Sequence, residues 1–136
     1  MLSARSRLSA TVAATSPTHT RRAAAAFVTS GMWLDYGTGV GQPDAFDRAL
    51  GARIHELTNV KIRHCLTRRP RAVHQADPEG RHVHSVSLHF SGFDRKEHDV
   101  GRCSYLPVNL GEIPDYYRRF IPPVDIVILK TCPRDE

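Results

Sequence analysis

The chain has 136 residues, 40% hydrophobic and 24% charged, a length and composition that suit one globular domain with a modest core and select neither disorder nor a membrane protein. Its formal charge is +5, but residues 1–34 carry Arg5, Arg7, Arg21 and Arg22 without an acid, leaving 15 Lys/Arg against 14 Asp/Glu over residues 35–136. A basic face for nucleic acid is therefore not indicated, although Arg68, Arg69 and Arg71 form a local cluster able to meet phosphate.

Residues 1–19 are rich in Ser, Thr, Ala and Arg, contain Pro17 and lack acids, so they read as a disordered or targeting-like tail. Thr20 is of a type suited to cap a helix N-terminus. No stretch approaches the roughly 18 apolar residues of a membrane span. Met32–Tyr36 reads as a short strand. After it comes Gly37-Thr38-Gly39-Val40-Gly41-Gln42-Pro43, then Phe46, Ala49, Leu50, Ile54 and Leu57 at helical spacing, with Pro43 suited to the first helical position. Glycines at 37, 39 and 41 permit positive φ and let consecutive N–H groups converge on an anion or a carbonyl oxygen. On spacing alone a plain tight turn is the favoured reading of this loop, which lacks the full dinucleotide or P-loop pattern.

Val60–Leu66 alternates and reads as a strand, and Arg68–Gly80, punctuated by Pro70, Pro78 and Gly80, as an excursion. Val83–Phe90 is a second strand, with Val86, Leu88 and Phe90 on one face and Ser85, Ser87 and His89 on the other. Asp94–Val100 is a short helix closed by Gly101, and Cys103–Val108 a brief strand that Pro107 confines to an end or edge. Ile113, Tyr116, Tyr117 and Phe120 repeat at helical spacing, their aromatic rings expected in the core. Val124–Leu129 is nearly continuous β-branched apolar sequence, the pattern of a strand buried on both faces of a parallel sheet. The alternation implies an α/β fold, an open, mostly parallel sheet with flanking helices. Cys65, Cys103 and Cys132 are odd in number and widely spaced, which suits a reducing, cytoplasmic compartment and neither a disulfide framework nor a zinc ribbon. His82 and His84 share one strand face and His89 points to the other, so no metal site is expected.

The glycine loop, Cys65-Leu66-Thr67-Arg68-Arg69-Pro70-Arg71-Ala72-Val73, Ala76-Asp77-Pro78-Glu79-Gly80, His89-Phe90-Ser91-Gly92-Phe93-Asp94-Arg95-Lys96, Glu112-Ile113-Pro114-Asp115-Tyr116-Tyr117-Arg118-Arg119-Phe120, Val124-Asp125 and Cys132-Pro133-Arg134-Asp135-Glu136 occur in one order. Together they resemble the N-terminal domain of the acetyl-CoA hydrolase/transferase family, most closely its butyryl-CoA:acetate CoA-transferase branch. Residues 20–136 would then be a partial N-terminal domain with the CoA-transferase-like fold, whose first helix is expected over Thr20–Ser30 and ends at Gly31. The resemblance implies transfer of coenzyme A between an acyl-CoA and a carboxylic acid by way of an anhydride and a glutamyl thioester. It also implies that the acyl-carrying glutamate lies in a second domain beyond Glu136. Glu56, Glu79, Glu97 and Glu112 fall in other blocks and do not match it, so no catalytic residue is assigned.

By the same resemblance Gly39, Val40, Gly41, Gln42 and Pro43 would line the acyl site, with amides near the acyl carbonyl and the Gln42 side chain able to hydrogen-bond a carboxylate. His89, Ser91 and Gly92, at a strand end, are secondary candidates. No cofactor is expected to stay bound, since the coenzyme A thioester is substrate. The expected partners are acyl-CoA, a carboxylate, and a C-terminal catalytic domain or complementing chain, with a homo-oligomer open. Val83-His84-Ser85-Val86 departs from the branch's aromatic and amide residues and leaves the acyl preference open. A non-catalytic α/β remnant or acyl-CoA-binding module is the alternative, and a mitochondrial location follows if residues 1–19 are a transit peptide.

Overall fold

The computed structural model describes residues 17–130. The expected tail up to residue 16, and the block from Cys132 to Glu136, lie outside the described residues. The elements run α1 (Pro17–Ala26), β1 (Trp33–Tyr36), α2 (Asp44–Gly51), β2 (Val60–His64), α3 (Ala72–Ala76), β3 (Val83–Ser87), α4 (Gly92–Asp99), β4 (Cys103–Tyr105), α5 (Ile113–Arg119) and β5 (Ile126–Ile128). All strand pairs are parallel, in the order β4-β3-β2-β1-β5, the open α/β sheet that the alternating pattern implies. From β1 the chain steps outward to β4, then returns to the far side of β1. Strand order thus reverses between β1 and β5, and the carboxyl ends of those two strands form the crevice where open α/β sheets take ligands.

Period-two alternation gives the sheet two chemically different faces. Leu34, Tyr36, Val60, Ile62 and Val83 face the helical layer and form the core with Ala25, Val28, Phe46, Leu50, Ile54, Leu57 and Val73. Fully burying each Leu, Ile or Val side chain stabilises by about 1.5–3 kcal/mol, so this cluster drives the fold. α2 buries Phe46 and Leu50, and Asp44 and Asp47 in its first turn suit the positive helix end. The carbonyls at the end of α1 are satisfied by Arg53, whose Nη1 donates to Ala25 O at 2.7 Å and Val28 O at 3.2 Å. On the opposite face Arg63, 1% exposed, is sandwiched between the Trp33 ring at 5.1 Å and the Tyr117 ring at 4.9 Å. There its Nη2 donates to Pro122 O at 2.9 Å, its Nη1 lies 3.8 Å from Asp35, and the Tyr117 hydroxyl donates to Asp35.

Several expectations are corrected. α1 starts at Pro17, so Thr20 sits inside the helix rather than at its cap, and residues 17–19 are helical rather than tail. The 68–80 excursion contains α3. On β3 the buried face carries Ser85 and Ser87, both 0% exposed; register pairs Ile62 with Ser85 and His64 with Ser87, which turns the serines toward the helices. The α5 aromatics are not core: the helix buries no residue and Phe120 is 69% exposed. Nor is the last strand doubly buried among the described residues, where β5 pairs with β1 alone and Val127 is 59% exposed. A short β-branched run has the same composition at an edge as at a centre, and the returning connection decides which it becomes.

Candidate functional site

The glycine loop is held at the switch point by the strands on either side. Gly37 N donates to Ile128 O at 3.0 Å and Lys130 N to Gly41 O at 3.3 Å, stitching the loop to the end of β5. On the other side Gly39 N donates to Cys65 O at 3.1 Å, just past β2. Gly41 N to Thr38 O (2.9 Å) and Gln42 N to Gly39 O (3.3 Å) close a single 3₁₀ turn over Gly39–Gly41. The amides of Gly39, Gly41 and Gln42 are therefore spent within the protein. Those of Thr38 and Val40 have no acceptor among the described residues, and Val40, 79% exposed, stands at the loop tip. A β-carbon on Gly37 would collide with the Gly41 carbonyl, and Gly39 has φ +55°, whereas Gly41 is neither left-handed nor crowded. The glycine requirement thus falls at positions 37 and 39, not at 41.

Gln42 and Pro43 are buried. Gln42 Nε2 donates to Asp44 Oδ1 at 3.2 Å and Arg69 O at 3.4 Å, so the amide expected to meet a carboxylate substrate instead braces the loop from beneath. Asp44 in turn accepts from Arg69 Nη2 at 2.7 Å and lies 3.8 Å from Lys130.

The loops after β2 and β3 join the same edge. Leu66 holds φ +53°, a left-handed conformation unusual for a residue with a β-carbon, and donates its amide to His89 O at 3.0 Å. His89 is exposed. Ser91 caps α4 through a reciprocal box: its hydroxyl accepts from Asp94 N at 3.2 Å while Asp94 Oδ2 accepts from Ser91 N at 2.9 Å. The structure therefore brings all the expected site residues to one edge, with His89, Ser91 and Gly92 two strands away from the glycine loop.

Beneath these loops lies a buried polar network that the sequence reading did not anticipate. Arg71, expected near the surface, is 4% exposed. Its guanidinium donates to Ser85 Oγ at 3.1 Å, Asp94 Oδ1 at 3.3 Å and the Thr67 hydroxyl. Asp94, 1% exposed, also accepts from Thr67 N at 3.3 Å and Ser87 Oγ at 3.4 Å. His64 Nδ1 meets Thr67 Oγ1 at 3.1 Å; burial, reinforced by the Arg71 and His74 charges, pushes its pKa well below the ordinary histidine range, so it is neutral. His74 links Ser85 Oγ at 2.7 Å to Glu97 Oε2 at 3.0 Å. The hydrogen bond from His74 holds the Glu97 carboxyl below the usual glutamate range.

Glu97, His74 and Ser85 have the order of an acyl-transfer triad. Ser85 is nevertheless 0% exposed and its Oγ accepts a hydrogen bond from Arg71, so its oxygen cannot meet a substrate and the arrangement is structural. Burial pushes the Cys103 thiol up to about 11 and raises Cys65 as well, which makes neither a reactive thiolate. Among the described residues no three His, Cys, Asp or Glu side chains are placed to hold a metal ion, and no helix is long and apolar enough to cross a membrane. The one local signal for the network was Ser91 three residues before Asp94, a capping-box spacing; the bonds that join Thr67, Arg71 and His74 to Ser85 and Asp94 span 11 to 27 residues.

No family model matches the chain. It is 38% identical over 109 residues to the butyryl-CoA:acetate CoA-transferase of Anaerostipes caccae, a match covering 80% of this chain and 24% of the relative. It is 32% identical over 113 residues to the probable butyrate:acetyl-CoA coenzyme A-transferase of Syntrophomonas wolfei, covering 83% of this chain and 25% of that protein. Among solved structures RipA from Yersinia pestis superposes with a TM-score of 0.58 at 16% identity, over 73% of this chain and 25% of that one, a likeness of fold. The chain spans about a quarter of the length of the curated relatives it matches. Over the matched residues it is a short segment homologous to the butyryl-CoA:acetate CoA-transferases and related CoA-transferases.

Proposed function

We propose that the chain supplies the N-terminal, substrate-positioning part of a CoA-transferase that moves coenzyme A between an acyl-CoA of the acetyl/butyryl class and a carboxylic acid. The observation that carries this reading is the loop Gly37–Gly41 at the switch point of the parallel sheet, with an exposed Val40 whose amide has no backbone acceptor among the described residues, in a chain homologous to such enzymes. The nucleophilic glutamate comes from further polypeptide, continuous or docked. Its carboxylate attacks the thioester carbonyl and expels the CoA thiolate, leaving an anhydride. The thiolate then attacks the glutamyl carbonyl, releases the acid and leaves CoA on the enzyme for an acceptor carboxylate. Each attack creates an oxyanion, and the Val40 N–H, left without a backbone acceptor among the described residues, is our candidate donor for it; removing one such donor typically lowers the rate about 10²–10³-fold. The free, buried thiols of Cys65 and Cys103 accord with a reducing compartment such as the cytoplasm.

The test is isotope exchange. With butyryl-CoA and labelled acetate the chain alone gives no exchange above blank, and exchange appears when it is mixed with the remaining three quarters of a family member. Exchange by the chain alone would overturn the placement of the nucleophile. Acyl-CoA binding with no exchange in the reconstituted mixture would favour the binding-module reading.

A further inference from the structure

We propose that the groove between the loops after β2 and β3 binds the phosphate-bearing nucleotide end of the coenzyme A thioester, with Arg68 and Lys96 as its cationic contacts. The inference rests on the CoA reading above and extends it to residues outside the acyl site. The groove has a volume of about 370 Å³ and is lined by Thr67, Arg68, Ser91, Gly92, Phe93 and Lys96. It opens on the same carboxyl edge as the glycine loop, to which it is tied by the bonds from Gly39 N to Cys65 O and from Leu66 N to His89 O. Adjacent strands are about 4.8 Å apart, so the groove lies roughly 10 Å along the edge from the glycine loop, and a pantetheine arm that is folded rather than extended joins a thioester at Val40 to phosphates there.

The charges around the groove are sorted. Of the three arginines in Arg68-Arg69-Pro70-Arg71, Arg69 is clamped by Asp44 at 2.7 Å and Arg71 is buried against Asp94 at 3.3 Å. Arg68 is exposed and has no acidic partner among the described residues, and Lys96 across the groove is in the same state. No acidic side chain is among the residues that line the groove, and Asp94, next in sequence to Phe93, is buried against Arg71, so the open space is left cationic. The Ser91 and Asp94 amides are consumed by the capping box; phosphate recognition therefore falls to the two side chains, which form charge-assisted hydrogen bonds. Phe93, 36% exposed at the wall, offers a ring on which an adenine base can stack.

Titration calorimetry on the 136-residue chain, with coenzyme A, 3′-dephospho-coenzyme A, pantetheine and inorganic phosphate as probes, tests this. Coenzyme A should bind tighter than its dephospho form and far tighter than pantetheine, with the advantage shrinking as ionic strength rises. Arg68→Ala with Lys96→Ala should weaken coenzyme A at least about tenfold per charge removed while leaving pantetheine unchanged, and Arg118→Ala, which removes a remote charge, should change neither. If thermal melting shows the alanine pair to be misfolded, Arg68→Gln with Lys96→Gln takes its place and the same loss is required. Equal binding of coenzyme A and pantetheine, or a double variant that keeps the preference, overturns the groove while leaving the CoA reading intact. Inorganic phosphate as tight as coenzyme A would make the groove a free-phosphate site and also overturn the proposal. Binding of neither coenzyme A nor pantetheine would overturn both.

Discussion

Two halves of the layer between the sheet and its helices are equally buried and chemically opposite. Under β1 and β2 the contacts are hydrocarbon: Leu34, Leu50, Ile54, Val60 and Ile62 are all 0% exposed. Under β3, at the same depth, sit Arg71, His74, Ser85, Ser87 and Asp94. The first half is held by a non-directional term that grows with the apolar area removed from water. The second adds little net stability, because desolvation offsets the attraction of a buried ion pair, but its geometry is directional. Through Thr67 N, Ser91 N and Ser87 Oγ, Asp94 ties the loops after β2 and β3 into one arrangement. The apolar half builds the domain and the polar half sets the shape of the loops at its carboxyl edge.

The sharpest way to break that comparison is Asp94→Ala, which strands the Arg71 guanidinium in the interior. Loss of one partner of a buried pair costs about 3–5 kcal/mol, read as a drop in urea unfolding free energy. Arg71→Met combined with Asp94→Leu should recover a substantial part of it, as no apolar repair would do for a cavity left by Leu50→Ala. If the single change costs under about 1 kcal/mol, in the range of an exposed ion pair, the polar half is not a core and the contrast fails.

A smaller effect separates glycines that composition makes equal. Gly37→Ala drives a β-carbon into the Gly41 carbonyl and should destabilise by about 1–3 kcal/mol, the usual range for overpacking. Gly41→Ala meets nothing within 4 Å and should stay within about 0.5 kcal/mol, as surface changes do. Thermal unfolding of the two variants side by side decides; equal losses would mean that the loop is not stitched to β5 as described.

The smallest effect is a pH slope. His64 stays neutral in the folded chain because burial lowers its pKa well below 6.5, while the unfolded chain takes up a proton near that value. Its contribution is therefore complete above about pH 6.5 and declines as pH falls, by at most about 1.4 kcal/mol per unit. Glu97, lowered from 4.5, adds a second loss as pH drops through and below that value. Urea midpoints from pH 8 to pH 5 should fall in the wild type and flatten in His64→Gln; an unchanged slope in the variant would remove His64 as the cause.

The sequence by itself determined the α/β class, most strand positions and the strand–glycine loop–helix unit, because these follow from periodicities of two and 3.6 and from turn residues a few positions apart. It also carried the family likeness, which is a property of residue order. Only the tertiary structure decided what depends on residues distant in the chain. Val124–Leu129 came to pair with β1 because the last connection returns to its far side; Ser85 and Ser87 turned inward because the register sets them beside Ile62 and His64. Arg68, Arg69 and Arg71 lie within four positions and share one charge. Whether each meets solvent, Asp44 or Asp94 was settled by partners about 25 residues away in sequence, and no local pattern encodes which carboxylate folds back onto which guanidinium.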